Sequence, residues 1–485
     1  MGHRSVYPTG TTIYNPEKAF NGYTVYPARE FGAVLVDMNG KAVHVWKDLQ
    51  GFPNKLLPGG QIFGSLGVRN PQYGYQDQTD LVQVDFAGNV VWKFNKHEYI
   101  EDPGEISQWM ARQHHDYQRE GNPVGYYVPG MEPKVDSGNT LILCHYNTTN
   151  TSISDKVLVD DCFIEVDWEG NIIWSWKCAD HFDEFNFPEQ AKNVLYRNPN
   201  IKSVGTGDWM HINSMSTLGP NKWYDAGDER FHPDNIIWDG RETNICAIIS
   251  KESGKVVWQI GPDYTATPEL RMMGAIIGQH HVHMIPKGLP GEGNILIFDN
   301  GGWAGYGYPS QNSTFGLKSS IRDHSRVLEI DPVTLKVVWE CSAATMGHPP
   351  VIQANWFYSP LVSSCQRLPN GNTLITEGTQ NRIFEVTKEN EIVWEYINPY
   401  YANPGYIYRA YRYPYEYVPQ LEKPEEVPIA PLDVATYRVP GAAPYGLNGV
   451  VTVAGTTGWG GKADMCVNAE DILTDGGEKE VEKAD

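Results

Sequence analysis

Six times along this chain an alternating strand runs into a turn built from Gly, Asn or Asp. Each time a second strand follows and closes on tryptophan. The segments are "AVLVDMNGKAVHVW" ending at Trp46, "LVQVDFAGNVVW" at Trp92, "FIEVDWEGNIIW" at Trp174, "CAIISKESGKVVW" at Trp258, "RVLEIDPVTLKVVW" at Trp339 and "RIFEVTKENEIVW" at Trp394. Each reads as a β-hairpin with short-range turn chemistry. Between them lie further strands, among them "LLPGGQIFGS", "SGNTLILCH", "GEGNILIFDNGG" and "LPNGNTLITEG". A unit therefore holds about four strands, the blade of a β-propeller. Six hairpins predict an all-β, six-bladed β-propeller; a solenoid or two stacked sandwiches are the alternatives.

The repeats are unevenly spaced. Successive Trp positions differ by 46, 82, 84, 81 and 55 residues, against about 40–50 for a compact blade. The middle blades must carry long inter-strand insertions, expected on one face, where propellers build sites. Candidates are 96–136, 178–210, 216–240, 262–278 and 301–324. The expected organisation is a propeller over 1–412, with residues 1–30 helping to close the ring. From about 400 onward the Pro- and aromatic-rich "YIYRAYRYPYEYVPQLEKPEEVPIAP" is expected to drape over the surface; a C-terminal extension is set at 413–468, followed by an acidic flexible tail over 469–485.

Composition narrows the function classes. The formal net charge is −21, which repels phosphate backbones and argues against nucleic acid as a partner. An anionic small substrate would need a local basic patch. No run of 18 apolar residues predicts a membrane span, and "MGHRSVYPTG" has no apolar leader core; the expectation is a cytoplasmic protein. The cysteines Cys144, Cys162, Cys178, Cys246, Cys341, Cys365 and Cys466 are scattered and read as buried free thiols. The glycosylation-like triplets at Asn147 and Asn312 are read as chance.

"GQHHVHMIPKG" places His280, His281 and His283 within four positions of a chain with 14 histidines. In a propeller the first strand of each blade lines the axis. The segments before each "GN-Leu-Ile" strand are then the inner strands: "ARQHHDYQ", "DWMHINSM", "GQHHVHMI" and "PLVSSCQRL". Side chains alternate along a strand, so His281 and His283 share a face and His280 points the other way; His211 and Asn213 likewise share a face. His115 or His114, His211, His281 and His283 should converge in one central cavity. A lone strand histidine such as His44, His97 or His181 is most simply structural. A cluster drawn from three blades points to a role. Trp209 reads as packing between blades, and Trp303 as a pocket wall or loop anchor.

At "DWMHINSM" and "HHVHMIPKG…GNILIFDNGG…SRVLEIDP" the sequence resembles the bacterial aryl-sulfate sulfotransferases, six-bladed propellers that use no PAPS. The likeness covers about 30–415. It implies transfer of a sulfuryl group from an aryl sulfate to an enzyme histidine and then to a phenol, with no cofactor. Matched by motif, His211 is the family's first funnel histidine and His281 or His283 its second. Arg326 would hold sulfuryl oxygens, with Asn213 a donor to the same oxygens. Trp303, Tyr306 and Tyr308 would form the aromatic rim. The family's sulfated histidine lies in a later blade, where this chain reads "LVSSCQRLPNG". His348 is the one histidine after His324 that could take the place, with Ser364 or Cys365 as further nucleophiles in principle. An alternative reading is a metal-dependent enzyme, with His115, His211, His281 and His283 binding Fe, Cu or Zn and Asp116 nearby. A third is a non-catalytic binding propeller. A small aromatic substrate is the expected partner, and the aromatic run "YIYRAYRYPYEY" favours a homo-oligomer.

Overall fold

The computed structural model describes residues 9–28, 30–400, 405–432 and 450–455. The expected acidic tail (469–485), Cys466, and the stretches 433–449 and 456–468 of the expected extension lie outside them. The chain forms six antiparallel blades around one axis. From the axis outward, blade 2 is Gln50–Leu57, Gln61–Ser65, Leu81–Val84 and Val90–Phe94. Blade 3 is Gln113–Arg119, Thr140–Thr148, Leu158–Val166 and Ile172–Lys177. Blade 4 is Ile212–Thr217, Ile236–Gly240, Ile245–Ile249 and Val256–Ile260. Blade 5 is His280–Met284, Ile295–Asp299, Arg326–Ile330 and Val337–Ser342.

The remaining blades are completed by residues from both ends of the chain. Blade 6 runs Ser364–Arg367, Thr373–Glu377, Arg382–Val386 and Ile392–Ile397, and Gly10–Tyr14 adds a fifth, outermost strand. Blade 1 runs Tyr23–Ala28, Gly32–Val36 and Ala42–Lys47, and takes its innermost strand, Tyr411–Tyr413, from the other end of the sequence. Val450–Thr452 pairs in parallel on its outer edge. The boundary expected at 412/413 thus falls inside a strand of the ring.

The closing tryptophans form a second, circumferential ring of bonds. Each outer-strand indole N–H donates to a carbonyl in the outer turn of the next blade. Trp46 reaches Asp85, Trp92 reaches Trp168, Trp176 reaches Gly254, Trp258 reaches Pro332, Trp339 reaches Lys388, and Trp394 returns to Met38, all at 2.8–2.9 Å. In blade 3 the bonding residue is Trp176, not the repeat's Trp174. Period-2 alternation explains the substitution: two residues on, the indole keeps the same face but stands one step further along the strand.

Antiparallel pairing fixes where the connections lie. Links from fourth to next first strands, and from second to third strands, share one end of the ring. That end carries the Glu98–Ile100/Gln108–Met110 ribbon, the Glu189–Arg197 helix, the Pro268–Met273 helix, and the Ala304–Tyr306/Leu317–Ser320 ribbon. The inner strands also begin there. The loops 120–139 and 218–235 join first to second strands and lie at the opposite end.

One expectation is corrected. "YIYRAYRY" does not drape over the surface. Tyr408, Arg409, Tyr411 and Arg412 are buried. Tyr408 packs on Phe52 of blade 2, its hydroxyl donates to the carbonyls of His115 (blade 3) and Asn213 (blade 4), and its own carbonyl accepts from Ser363 N–H (blade 6). Only a segment on the axis can touch four blades at once. The exposed aromatic surface that favoured a homo-oligomer is therefore inside the ring. The six described cysteines are buried and unpaired. No described helix is long and apolar enough to cross a membrane.

Trp176→Phe should keep the aromatic packing and strand the Gly254 carbonyl, destabilising the protein by about 1–2 kcal/mol. Trp174→Phe should stay within about 0.5 kcal/mol of the parent. Urea unfolding checks both, and equal losses would remove the indole bond as the cause.

Candidate functional site

The inner strands of blades 3, 4 and 5 share a local backbone feature at their entry. His115, His211 and His281 all have φ of +53° to +54°. A left-handed non-Gly residue costs about 1–2 kcal/mol, and such residues cluster at functional sites. In blades 3 and 5 the pairing shifts register across this point: Gln113 opposes Cys144 and Tyr117 opposes Ile142, while His280 opposes Phe298 and His283 opposes Leu296. The bulge re-aims side chains that strict alternation would have assigned.

At the insertion end, His211 and Asp208 form a dyad, with Nδ1–H donating to Asp208 Oδ2 at 2.6 Å. That bond fixes the tautomer and leaves Nε2 as a lone pair. Burial lowers the His211 pKa, opposed by Asp208 and reinforced by the charges of Lys202 and Arg241. The ring of His115 lies 4.7 Å from that of His211. Tyr75 lies 6.0 Å from His211, and Lys202 donates to the Tyr75 hydroxyl at 2.7 Å. Arg241 pairs with buried Glu242 and donates to the Trp303 carbonyl at 3.1 Å. His280 donates from Nδ1 to Asn300 Oδ1 at 2.7 Å, leaving its Nε2 as a second lone pair. Burial, then the Arg241 charge, holds its pKa well below the usual histidine range. Three separate insertions supply Tyr75, Lys202 and Trp303 to this centre.

Beside it lies a second group. His114, His145 and Asp161 bring one ligand atom each to within 4.8 Å of one another. His145 donates from Nδ1 to Asp77 Oδ1 at 2.7 Å, and Asp77 is held by Arg69 and Arg112 at 3.0 and 2.7 Å. His114 shares its Nδ1 with His115 Nδ1 at 2.7 Å.

The deeper part of the axis is held by charge pairs and closed hydrogen bonds. Lys55 and Arg409 both grip Asp116, at 2.5 and 2.8 Å. Cys365 N–H donates to His281 Nδ1, so His281 carries its proton on Nε2 and donates to the Tyr411 hydroxyl at 3.1 Å. His283 donates from Nδ1 to the His281 carbonyl and accepts from Tyr126 at 2.9 Å. The rings of His281 and His283 are 4.5 Å apart, but neither has a lone pair left to react.

The family model described as Arylsulfotransferase (ASST) matches residues 131–401, more than half of the chain. The chain belongs to the arylsulfotransferase family. No curated protein sequence matches it. Among solved structures, a protein of unknown function from Bacteroides caccae is 11% identical, over 81% of this chain and 98% of that one, with a TM-score of 0.41. Apo AztD from Citrobacter koseri is 8% identical, over 81% and 98%, at 0.33. Sqt1 of Saccharomyces cerevisiae is 10% identical, over 82% and 89%, at 0.30.

In this arylsulfotransferase-family chain the expected site residues separate. His115 and His211 meet; His281 and His283 meet elsewhere, so the four do not form one ligand set. Asn213 is buried and its amide donates to the Gln279 carbonyl at 2.9 Å. Arg326 pairs with Asp299 at 2.7 Å and donates to the carbonyls of Met273, Gly274 and Ala275, which anchors the 262–278 insertion. His348 packs at a tilt against Trp356 in a peripheral loop and bonds Gln353. Tyr306 is buried with its hydroxyl on the Trp209 carbonyl; Tyr308 is 74% exposed and Trp303 42%. Ser364 bonds Thr376, and burial pushes the Cys365 thiol far up. Sequence reading missed Tyr75, Lys202, Arg241, His145 and Asp161, and turned His280 away from the face of His281 and His283. The one signal that pointed their way was the Asp-x-x-His spacing of Asp208 and His211.

Burial holds several imidazoles neutral, with His44 and His283 lowered to about 4. A depressed folded pKa contributes stability that is present above the unfolded value, about 6.5, and is lost as pH falls through the folded value. The urea midpoint should therefore fall steadily between about pH 6.5 and 4. A midpoint constant over that window would contradict this protonation assignment.

Proposed function

We propose that the protein transfers a sulfuryl group between aryl oxygens, with His211 as the reacting imidazole. The observation that carries this reading is the Asp208–His211 dyad, with an Nε2 lone pair on a ring that feels the charges of Lys202 and Arg241, in a member of the arylsulfotransferase family. Nε2 attacks sulfur, the S–N bond forms as the aryl S–O bond breaks, and the departing phenolate takes a proton. Asp208 stabilises the cationic ring that results. Lys202 and Arg241 supply positive charge to the sulfuryl oxygens. Tyr75, hydrogen-bonded to Lys202, is the group best placed to protonate the leaving oxygen. A phenol acceptor then reverses the steps, so the kinetics are ping-pong. Trp303 offers an exposed indole on which a flat aryl group can rest.

This reading moves the nucleophile from a late blade to blade 4. His281, Ser364 and Cys365 have their reactive atoms engaged or held protonated, and His348 lies outside the centre. The protein's net charge makes the local cations necessary for any anionic ester.

The assay is turnover of 4-nitrophenyl sulfate with a phenol acceptor. His211→Ala should abolish it, and Asp208→Asn should lower kcat by about 10²–10⁴-fold. His348→Ala should keep the parental rate. Arg326→Ala should lose stability and retain turnover in the folded fraction. A parental rate in His211→Ala, or loss of turnover in folded His348→Ala, would reject the assignment.

A further inference from the structure

Four buried polar atoms of blade 3 and its neighbour have no hydrogen-bond partner: His114 Nε2, His145 Nε2, Asp161 Oδ1 and Asp208 Oδ1. All four residues are at most 1% exposed. Buried polar groups are nearly always satisfied, so four orphans in one place require an explanation. His145 gives its Nδ1 proton to Asp77, whose carboxylate is locked by two arginines. Its Nε2 is therefore a lone pair, and it faces Asp161 Oδ1 at 3.7 Å. His114 Nε2 faces the same oxygen at 3.3 Å. The His145 lone pair aimed at a carboxylate oxygen is repelled unless something positive lies between them.

The spacing is compatible with a cation between these atoms. Donors bonded at about 2.0–2.1 Å to a tetrahedral ion stand about 3.3–3.4 Å apart. The donor types are two imidazoles and one carboxylate, which suit a first-row divalent transition ion and leave a coordination position open. The His145–Asp77 hydrogen bond is the outer partner that metal-bound histidines usually have. The Asp77 carboxylate is itself fixed by Arg69 and Arg112.

We propose that His114, His145 and Asp161 bind a divalent first-row transition-metal ion. The set differs from the axial histidines that the sequence brought forward. All three residues come from one blade, on its first, second and third strands. Binding of the ion orients His114, and through the 2.7 Å His114–His115 contact it also orients the ring that packs on His211. The proposal does not depend on sulfuryl transfer. Its rival occupant is a proton on Asp161, whose pKa is raised by burial and by the charge of Asp208.

The test uses the full chain, stripped of metal and titrated with Co²⁺ under calorimetry and visible spectroscopy. The expected result is one Co²⁺ per chain, with absorption bands of nitrogen and oxygen ligation. His145→Gln and Asp161→Asn should lose saturable binding while keeping the parental near-ultraviolet dichroism. Asp77→Asn should bind about 10–100-fold more weakly, and His348→Ala should bind as the parent does. Should the ligand variants fail to fold, a crystal of the parent soaked in Co²⁺ decides by its anomalous map. A peak about 2.0–2.2 Å from the three atoms supports the site. No saturable uptake by the parent, unchanged binding in folded ligand variants, or an anomalous peak elsewhere would overturn it and leave the proton as occupant.

Discussion

Ring closure is the constraint on which the rest depends. A propeller has no partner for its first and last blades unless the chain returns to its start. Here three devices close the circle. Gly10–Tyr14 edges blade 6, Tyr411–Tyr413 supplies the inner strand of blade 1, and the indole of Trp394 reaches back to Met38 as each earlier indole reaches forward. The six indole bonds are individually worth about 1 kcal/mol each, but they set the rotation from blade to blade. That rotation decides which inner-strand residues can meet.

Closure from the far end of the sequence also fills the centre. To reach blade 1, residues 405–413 must pass along the axis, and Arg409 lands against Asp116 with Lys55 on the other oxygen. The buried Asp116 carboxylate sits between Lys55 and Arg409, whose remaining donors reach the backbone carbonyls of Tyr117 and Asn213. The filled axis consumes His281 and His283 in closed hydrogen bonds. The lone pairs of His211 and His280 lie instead toward the insertion end, near residues delivered by loops. The site is consequently a joint product of three blades and three insertions.

The architecture was legible because hairpin, turn chemistry and closing tryptophan repeat with strong period-2 patterning. Four inner strands were identified from their position before the "GN-Leu-Ile" strands, and the pairing agrees with them. The inner strands of blades 1 and 2 were not found. Tyr411–Tyr413 is three residues in a run that reads as aromatic linker, and Gln50–Leu57 contains a proline and little alternation. Individual side chains were harder. Alternation places His281 and His283 together, and they are together. It could not reveal that left-handed residues at 115, 211 and 281 turn each strand at its entry, so that His280 rather than His281 is electrostatically coupled to His211. Lys202, Tyr75 and Arg241 come from loops without periodicity. His145 and Asp161 sit on second and third strands, where a search confined to the axis does not look.

The decisive event is formation of the bond between His211 and sulfur. Protein mixed with excess 4-nitrophenyl sulfate and no acceptor should release a burst of nitrophenolate. Rapid quench and peptide mass spectrometry should then find one added sulfuryl group on the peptide holding Trp209, Met210 and His211, with fragmentation placing it on His211. A sulfuryl group on any other residue, or a burst with no modified peptide, would contradict it.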